Sequence, residues 1–124
     1  MKIISTDKAP AAVGPYSQAI VDGGIVYASG QIPVDPATGE MKTSVSEAAR
    51  QSLTNLKNLL ESSGSDLENV LKVNIFITDM GKFGELNEVY AEFFAHHRPA
   101  RSCVEVTALP KDAVLEIEAI ARVN

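Results

Sequence analysis

Hydrophobic positions in the first third of the chain fall in short runs: Ile3 and Ile4, then Tyr16 to Val21, then Ile25 to Ser29. Runs of this length bounded by Gly and Pro predict strands. Asp22-Gly23-Gly24 between the last two runs predicts a tight hairpin, because glycine tolerates the positive φ angles such turns need. Pro33 to Gly39 reads as a loop. The period then changes. Ala49, Leu53, Leu56 and Leu60 recur at helical spacing and predict a helix from Val45 to Ser63, with Ser44 and Glu47 in capping-box spacing and Gly64 past its last turn. Leu71, Val73, Ile75 and Ile77 alternate with Lys72, Asn74, Phe76 and Thr78, the pattern of a strand with one buried face. Phe83, Leu86, Tyr90 and Phe93 predict a second helix after Asp79, ended by Arg98-Pro99 because a residue before proline avoids the helical region.

The last quarter reads as two strands, Ser102 to Ala108 and Val114 to Val123, joined around Leu109-Pro110-Lys111-Asp112. In the final strand Leu115, Ile117, Ala119, Ala121 and Val123 share one face, and Val114, Glu116, Glu118, Ile120 and Arg122 share the other. Two apolar residues flanking two carboxylates suggest that this second face is partly covered. Two helices can cover one side of a five- or six-stranded sheet, so another subunit is expected on the other side. The ordinary alternative is a solvated face with two scattered apolar residues.

Length and charge narrow the function. With 124 residues the chain is expected to form one domain, residues 1–124, too small for a deep private cleft, so a ligand pocket is expected to borrow walls from a neighbour. Its 11 basic and 16 acidic side chains give a formal charge of −5, and no Lys/Arg-rich block occurs, which disfavours nucleic acid. No apolar run approaches the ~20 residues of a spanning helix, so no membrane is expected. One cysteine and no signal-like start point to a cytoplasmic location.

Metal chemistry finds little support. His96 and His97 are adjacent, Cys103 is alone, and neither HxxxH nor CxxC spacing occurs. Phosphate-cradling glycine motifs are absent. A polar set remains on the extended segments and the second helix: Tyr16 and Ser17, Ser29, Gly30 and Gln31, Asn87, Arg101, Glu105, Glu116 and Glu118. Singly, each has a surface explanation. Together, a planar arginine fork and a carboxylate suit a small carboxylate-bearing substrate, the arginine gripping it through two parallel hydrogen bonds and the glutamate moving a proton or orienting water.

At these residues the sequence resembles the RidA (YjgF-type) family of reactive-intermediate deaminases. The segments that carry the resemblance are APAAVGPYSQAI (Ala9 to Ile20), YASGQIPVDPATGE (Tyr27 to Glu40), NEVYAEFF (Asn87 to Phe94) and RPARSCVEVTALPKDAVLEIEAIA (Arg98 to Ala121). The resemblance implies an α+β, chorismate-mutase-like (RidA-like) fold: a mixed β-sheet with two helices packed on one face, and a homotrimer with a central barrel and pockets between subunits. It implies hydrolysis of enamine and imine acids, such as 2-aminoacrylate and 2-aminocrotonate in their imine forms, to 2-keto acids and ammonia, with no metal or organic cofactor. It further implies Arg101 as the carboxylate clamp and Glu116 as the residue that activates water or relays the proton. The backbones of Gly30 and Cys103 would contact substrate or water, and Tyr16, Ser29 and Asn87 would shape the pocket. Two departures stand out: Ala108 where relatives often carry arginine, and the short stretch His96-His97-Arg98, which bears on the pocket rim and so on substrate range. Two other readings stand beside this one, the first from the same residues and the second attached to relatives in the resembled family. One is a non-catalytic regulatory protein that binds a small metabolite in the same pocket; the other is ribonuclease or translation inhibition, which the acidic balance disfavours.

Overall fold

The computed structural model describes residues 1–124. Six strands, β1 (Lys2–Ile4), β2 (Ala19–Asp22), β3 (Ile25–Gln31), β4 (Val70–Ile77), β5 (Ala100–Glu105) and β6 (Leu115–Arg122), form one sheet in the order β1-β2-β3-β6-β4-β5. All neighbours pair antiparallel except β4 and β5, which run parallel and are joined through helix α2 (Phe83–Phe93). A parallel pair needs such a crossover, whereas β2 and β3 close on Gly23 and Gly24, whose φ angles of +58° and +78° suit a two-residue hairpin.

Helix α1 (Val45–Ser62) starts where the sequence predicts it, with the Ser44 hydroxyl accepting from the Glu47 N–H at 3.4 Å. Its stripe Ala49, Leu53, Leu56 and Leu60 is fully buried against Val26, Val73, Ile75, Ile117 and Ala121 in one continuous core. The sheet therefore has two unlike sides. The helix side carries that core, and the other carries exposed Ile3 and Tyr27, half-buried Ile120 and Phe76, and the carboxylates Glu116 and Glu118.

Several boundaries differ from the sequence expectation, each for a physical reason. Tyr16, Ser17 and Gln18 lie outside β2. The buried Gln18 amide donates to the carbonyls of Thr6, Ala9 and Pro10 and accepts from the Thr6 N–H, which ties the preceding segment into a loop instead of a strand. Leu71 is 43% exposed, because a register shift between Val70 and Lys72 sends Val70 into the core in its place. Helix α2 stops at Phe93, before Arg98-Pro99. There Phe94 turns into the core, its ring 4.7 Å from that of Tyr90, and the His97 imidazole binds the Val70 carbonyl at 2.5 Å, drawing the chain off the helix axis. Strand β5 begins at Ala100 and ends at Glu105, short of Ala108, while β6 ends at Arg122 and leaves Val123 outside.

One buried polar residue holds the long β3–α1 connection. Asn55, fully buried on α1, donates to the carbonyls of Val34 at 2.9 Å and Ile32 at 3.3 Å and accepts from the Gln51 amide. Asn55→Ala would strand both carbonyls, so we expect a loss of about 1–3 kcal/mol of stability. Thermal and denaturant midpoints equal to those of the wild type would show that the connection holds itself.

Candidate functional site

Tyr16, Ser29, Gly30 and Glu116 line one cavity and Asn87 and Arg101 another, on opposite sides of the sheet, while Cys103 borders neither. Glu116 is paired with Phe76, whereas Arg101 and Cys103 are paired with Val73 and Ile75, which face the helices. Side chains alternate along a strand, so Arg101 and Glu116 of one chain cannot meet.

The Glu116 side is built by a bulge. Ala28 pairs with Ala119 and Gln31 with Ile117, so Ser29 and Gly30 on β3 together face one residue of β6. At the bulge the Glu116 carboxyl lies against the Gly30 backbone: a Cβ at residue 30 would stand 2.6 Å from the Glu116 carboxyl carbon. Any side chain at residue 30 would displace the Glu116 carboxyl from this position. Ser29 is fixed by its hydroxyl, which donates to the Ser17 carbonyl at 2.7 Å, and by its N–H, which donates to the Gln18 carbonyl. Tyr16, Ser29, Gly30, Lys111, Glu116 and Glu118 line a cavity of about 460 Å³. Burial pushes the Glu116 carboxyl up from its ordinary pKa, and the charge of Glu118 pushes it in the same direction. Glu118 itself accepts from the Asn74 amide at 3.1 Å.

Sequence reasoning missed two contributors here. Gln18 lies inside a quoted segment, but its organising role depends on carbonyls up to 12 residues away. Lys111 reads as an ordinary turn residue, yet at the edge of this cavity it takes a left-handed φ of +56°, and Asp112 after it takes +57°. Such conformations cost of order 1–3 kcal/mol each in non-glycine residues and concentrate at functional sites. No pattern in the sequence signals them.

The Arg101 side lies between β5 and α2. Asn87, Tyr90, Phe94, Arg98 and Arg101 are among the residues lining a cavity of about 670 Å³ that no acidic side chain borders. The Arg101 guanidinium donates to the Asn87 side-chain oxygen at 2.8 Å and lies over the rings of Tyr90 and Phe83, 4.6 Å and 5.3 Å from their centroids. Cys103, two residues along on the same face, is half-buried. Burial pushes its thiol up while Arg101 pulls it partly back, so the thiol is not held as a reactive thiolate. No three His, Cys, Asp or Glu side chains gather anywhere in the chain as a metal site would require.

A site of this kind can grip a carboxylate at Arg101 and exchange a proton at Glu116, given two copies of the chain. Comparison with known proteins bears on that chemistry. The family described as Endoribonuclease L-PSP matches residues 6–123. The 2-iminobutanoate/2-iminopropanoate deaminase of Salmonella typhimurium is 50% identical over 123 residues, covering 97% of this chain and 96% of its own. A RutC family protein of Pyrococcus horikoshii is also 50% identical, over 97% of this chain and 96% of its own. The crystal structure of Escherichia coli TdcF with bound serine matches at a TM-score of 0.96 and 48% identity, covering both chains completely. Matched along nearly its whole length by the family and by relatives half identical to it, the chain belongs to the Endoribonuclease L-PSP, or RidA (YjgF-type), family, among whose named members is a deaminase of 2-imino acids.

Proposed function

We propose that the protein hydrolyses short-lived 2-imino acids, in equilibrium with their enamines, to 2-oxo acids and ammonia, in sites shared between copies of the chain. The observation that carries this reading is the placement of Arg101 and Glu116 on opposite faces of one sheet, each lining an open cavity. Each half is chemically incomplete. Three copies arranged around a central barrel would bring the Glu116 side of one against the Arg101 side of the next, and would cover exposed Tyr27 and Val104.

In that arrangement the Arg101 fork holds the substrate carboxylate through two charge-assisted hydrogen bonds and fixes the imine carbon relative to Glu116. Ionised Glu116 takes a proton from a water as its oxygen bonds to the imine carbon. The nitrogen gains protons, the C–N bond breaks, and ammonia leaves behind a 2-oxo acid. A carboxyl whose pKa burial raises above the ordinary value is better suited to both accept and return that proton. The backbones of Gly30 and Cys103 would contact substrate or water, with Tyr16, Ser29 and Asn87 shaping the walls. The reaction draws on no metal or organic cofactor. No helix of the chain is long and apolar enough to cross a membrane.

Ammonia release from enamine generated in situ by a serine or threonine dehydratase tests the reading. The wild type should accelerate it, and Arg101→Ala should lower kcat/KM by about 100-fold, the scale of losing charge-assisted hydrogen bonds to one carboxylate. Equal rates for the two would sink the proposal. Glu116→Gln should keep ligand affinity while kcat falls by about 10²-fold or more. Equal loss of affinity and turnover would make Glu116 structural, and binding by the wild type with no turnover of any imino acid would favour a regulatory metabolite-binding protein.

The pH profile gives a separate check. Water activation needs ionised Glu116, so activity should fall as pH drops through its raised pKa, with the acid limb above the ordinary 4.5. Glu118→Gln removes one of the two causes of the shift and should move that limb to lower pH. A limb that stays in place would mean another group controls it. Gly30→Ala, by driving Glu116 from its seat, should cost at least about tenfold in kcat, which an unchanged rate would contradict.

A further inference from the structure

Helix α2 carries three residues that meet one guanidinium. Phe83, Asn87 and Tyr90 are spaced four and three apart, which places them in a row on one helix face. Opposite that row stands Arg101, on a strand paired to the sheet along only one edge. The Asn87 oxygen accepts from one terminal nitrogen of the guanidinium, and the two rings sit against the ion at 4.6 Å and 5.3 Å. Tyr90 is only 7% exposed, so its surroundings hold the ring as a fixed face for the cation. Its hydroxyl is buried too, and the same guanidinium lies near enough to lower its pKa against the larger rise that burial causes. Ring and hydroxyl are separable contributions, and the ring is the one whose distance from the ion, 4.6 Å, suits a cation–π contact.

An unsupported arginine on an edge strand samples many rotamers, and a two-pronged grip on a carboxylate requires freezing them. No carboxylate in the chain forms an ion pair with Arg101 that would do this. The neutral amide and the rings fix the ion while leaving its charge uncompensated. We propose that Phe83, Asn87 and Tyr90 form a guanidinium cradle that presets the Arg101 fork for an incoming carboxylate, with the Tyr90 ring as the principal positioning group. This rests on the reading of Arg101 as the carboxylate clamp. It assigns α2 a task besides core packing, with Tyr90 serving both the core, alongside Leu86 and Val89, and the guanidinium.

The test compares Tyr90→Phe, Tyr90→Leu and Phe83→Leu, each alone and combined with Arg101→Ala, in the dehydratase-coupled assay. Tyr90→Leu should raise KM about tenfold with kcat within about threefold of wild type, while Tyr90→Phe keeps the ring and restores KM to within about twofold. Phe83→Leu, at a less buried position, should raise KM by a smaller factor and guards against a folding defect in Tyr90→Leu. In the Arg101→Ala background neither leucine substitution should cost anything further, because the group being positioned is gone. Equal losses from Tyr90→Phe and Tyr90→Leu would assign the effect to the hydroxyl and overturn the cradle. So would a leucine penalty undiminished in the Arg101→Ala background, which marks a general structural role. Absence of turnover in the wild type would instead sink the deaminase reading. Affinity for L-serine, measured by calorimetry across the same variants, then decides the cradle by the same pattern of losses.

Discussion

Strand β6 sets the constraint on which the rest depends. Hydrogen-bonded to β3 on one side and β4 on the other, it has no free edge, so every side chain must choose one of two faces of the sheet. Leu115, Ile117, Ala119 and Ala121 take the side that α1 covers, which commits Glu116, Glu118 and Ile120 to the other. A shift of one residue would put two carboxylates into the leucine-rich core and strip the core of four apolar residues. The register is therefore fixed by burial, and the position of the candidate acid–base group follows from packing alone.

The two candidate halves of a site are supported in different ways. Glu116 stands on a central strand, and its close seat against Gly30 comes from a bulge in the neighbouring strand. Arg101 stands on the outermost strand and takes its order from α2. The first half is made rigid by the sheet and the second by side chains packed on it. Both avoid neutralising their own charge: the cavity around Arg101 has no acid, and Glu116 is left to desolvation and a like-charged neighbour. Groups held in this state lose little when a substrate replaces their surroundings, which is the physical meaning of preorganisation.

Local signals in the sequence were readable. The α1 stripe with its Ser44 cap, the Gly23-Gly24 turn and the alternation in β6 each depend on residues close together in the chain, and the structure keeps all three. Non-local signals were not. Leu71 is misread because the register shift that exposes it is set by the partner strand. The early end of α2 depends on Phe94 finding Tyr90 and on His97 finding Val70. The loop bearing Tyr16 depends on the Gln18 amide, and nothing in the pattern of Lys111 and Asp112 announces left-handed backbone. For the candidate site, the residue types were legible and their division between two faces was not, because no spacing in one chain states which side of a sheet its edge strand will present.

That division changes how damage to the chain would propagate. If a site takes its arginine from one copy and its carboxylate from the next, a chain lacking Arg101 and a chain lacking Glu116 carry defects that are not equivalent. Each retains what the other has lost. An assembly that mixes the two kinds would then contain interfaces where both defects meet and interfaces where neither does, and the latter would be whole. Two null alleles could in this way complement one another inside a single oligomer, a genetic behaviour that follows from the pleat of one strand and the edge position of another.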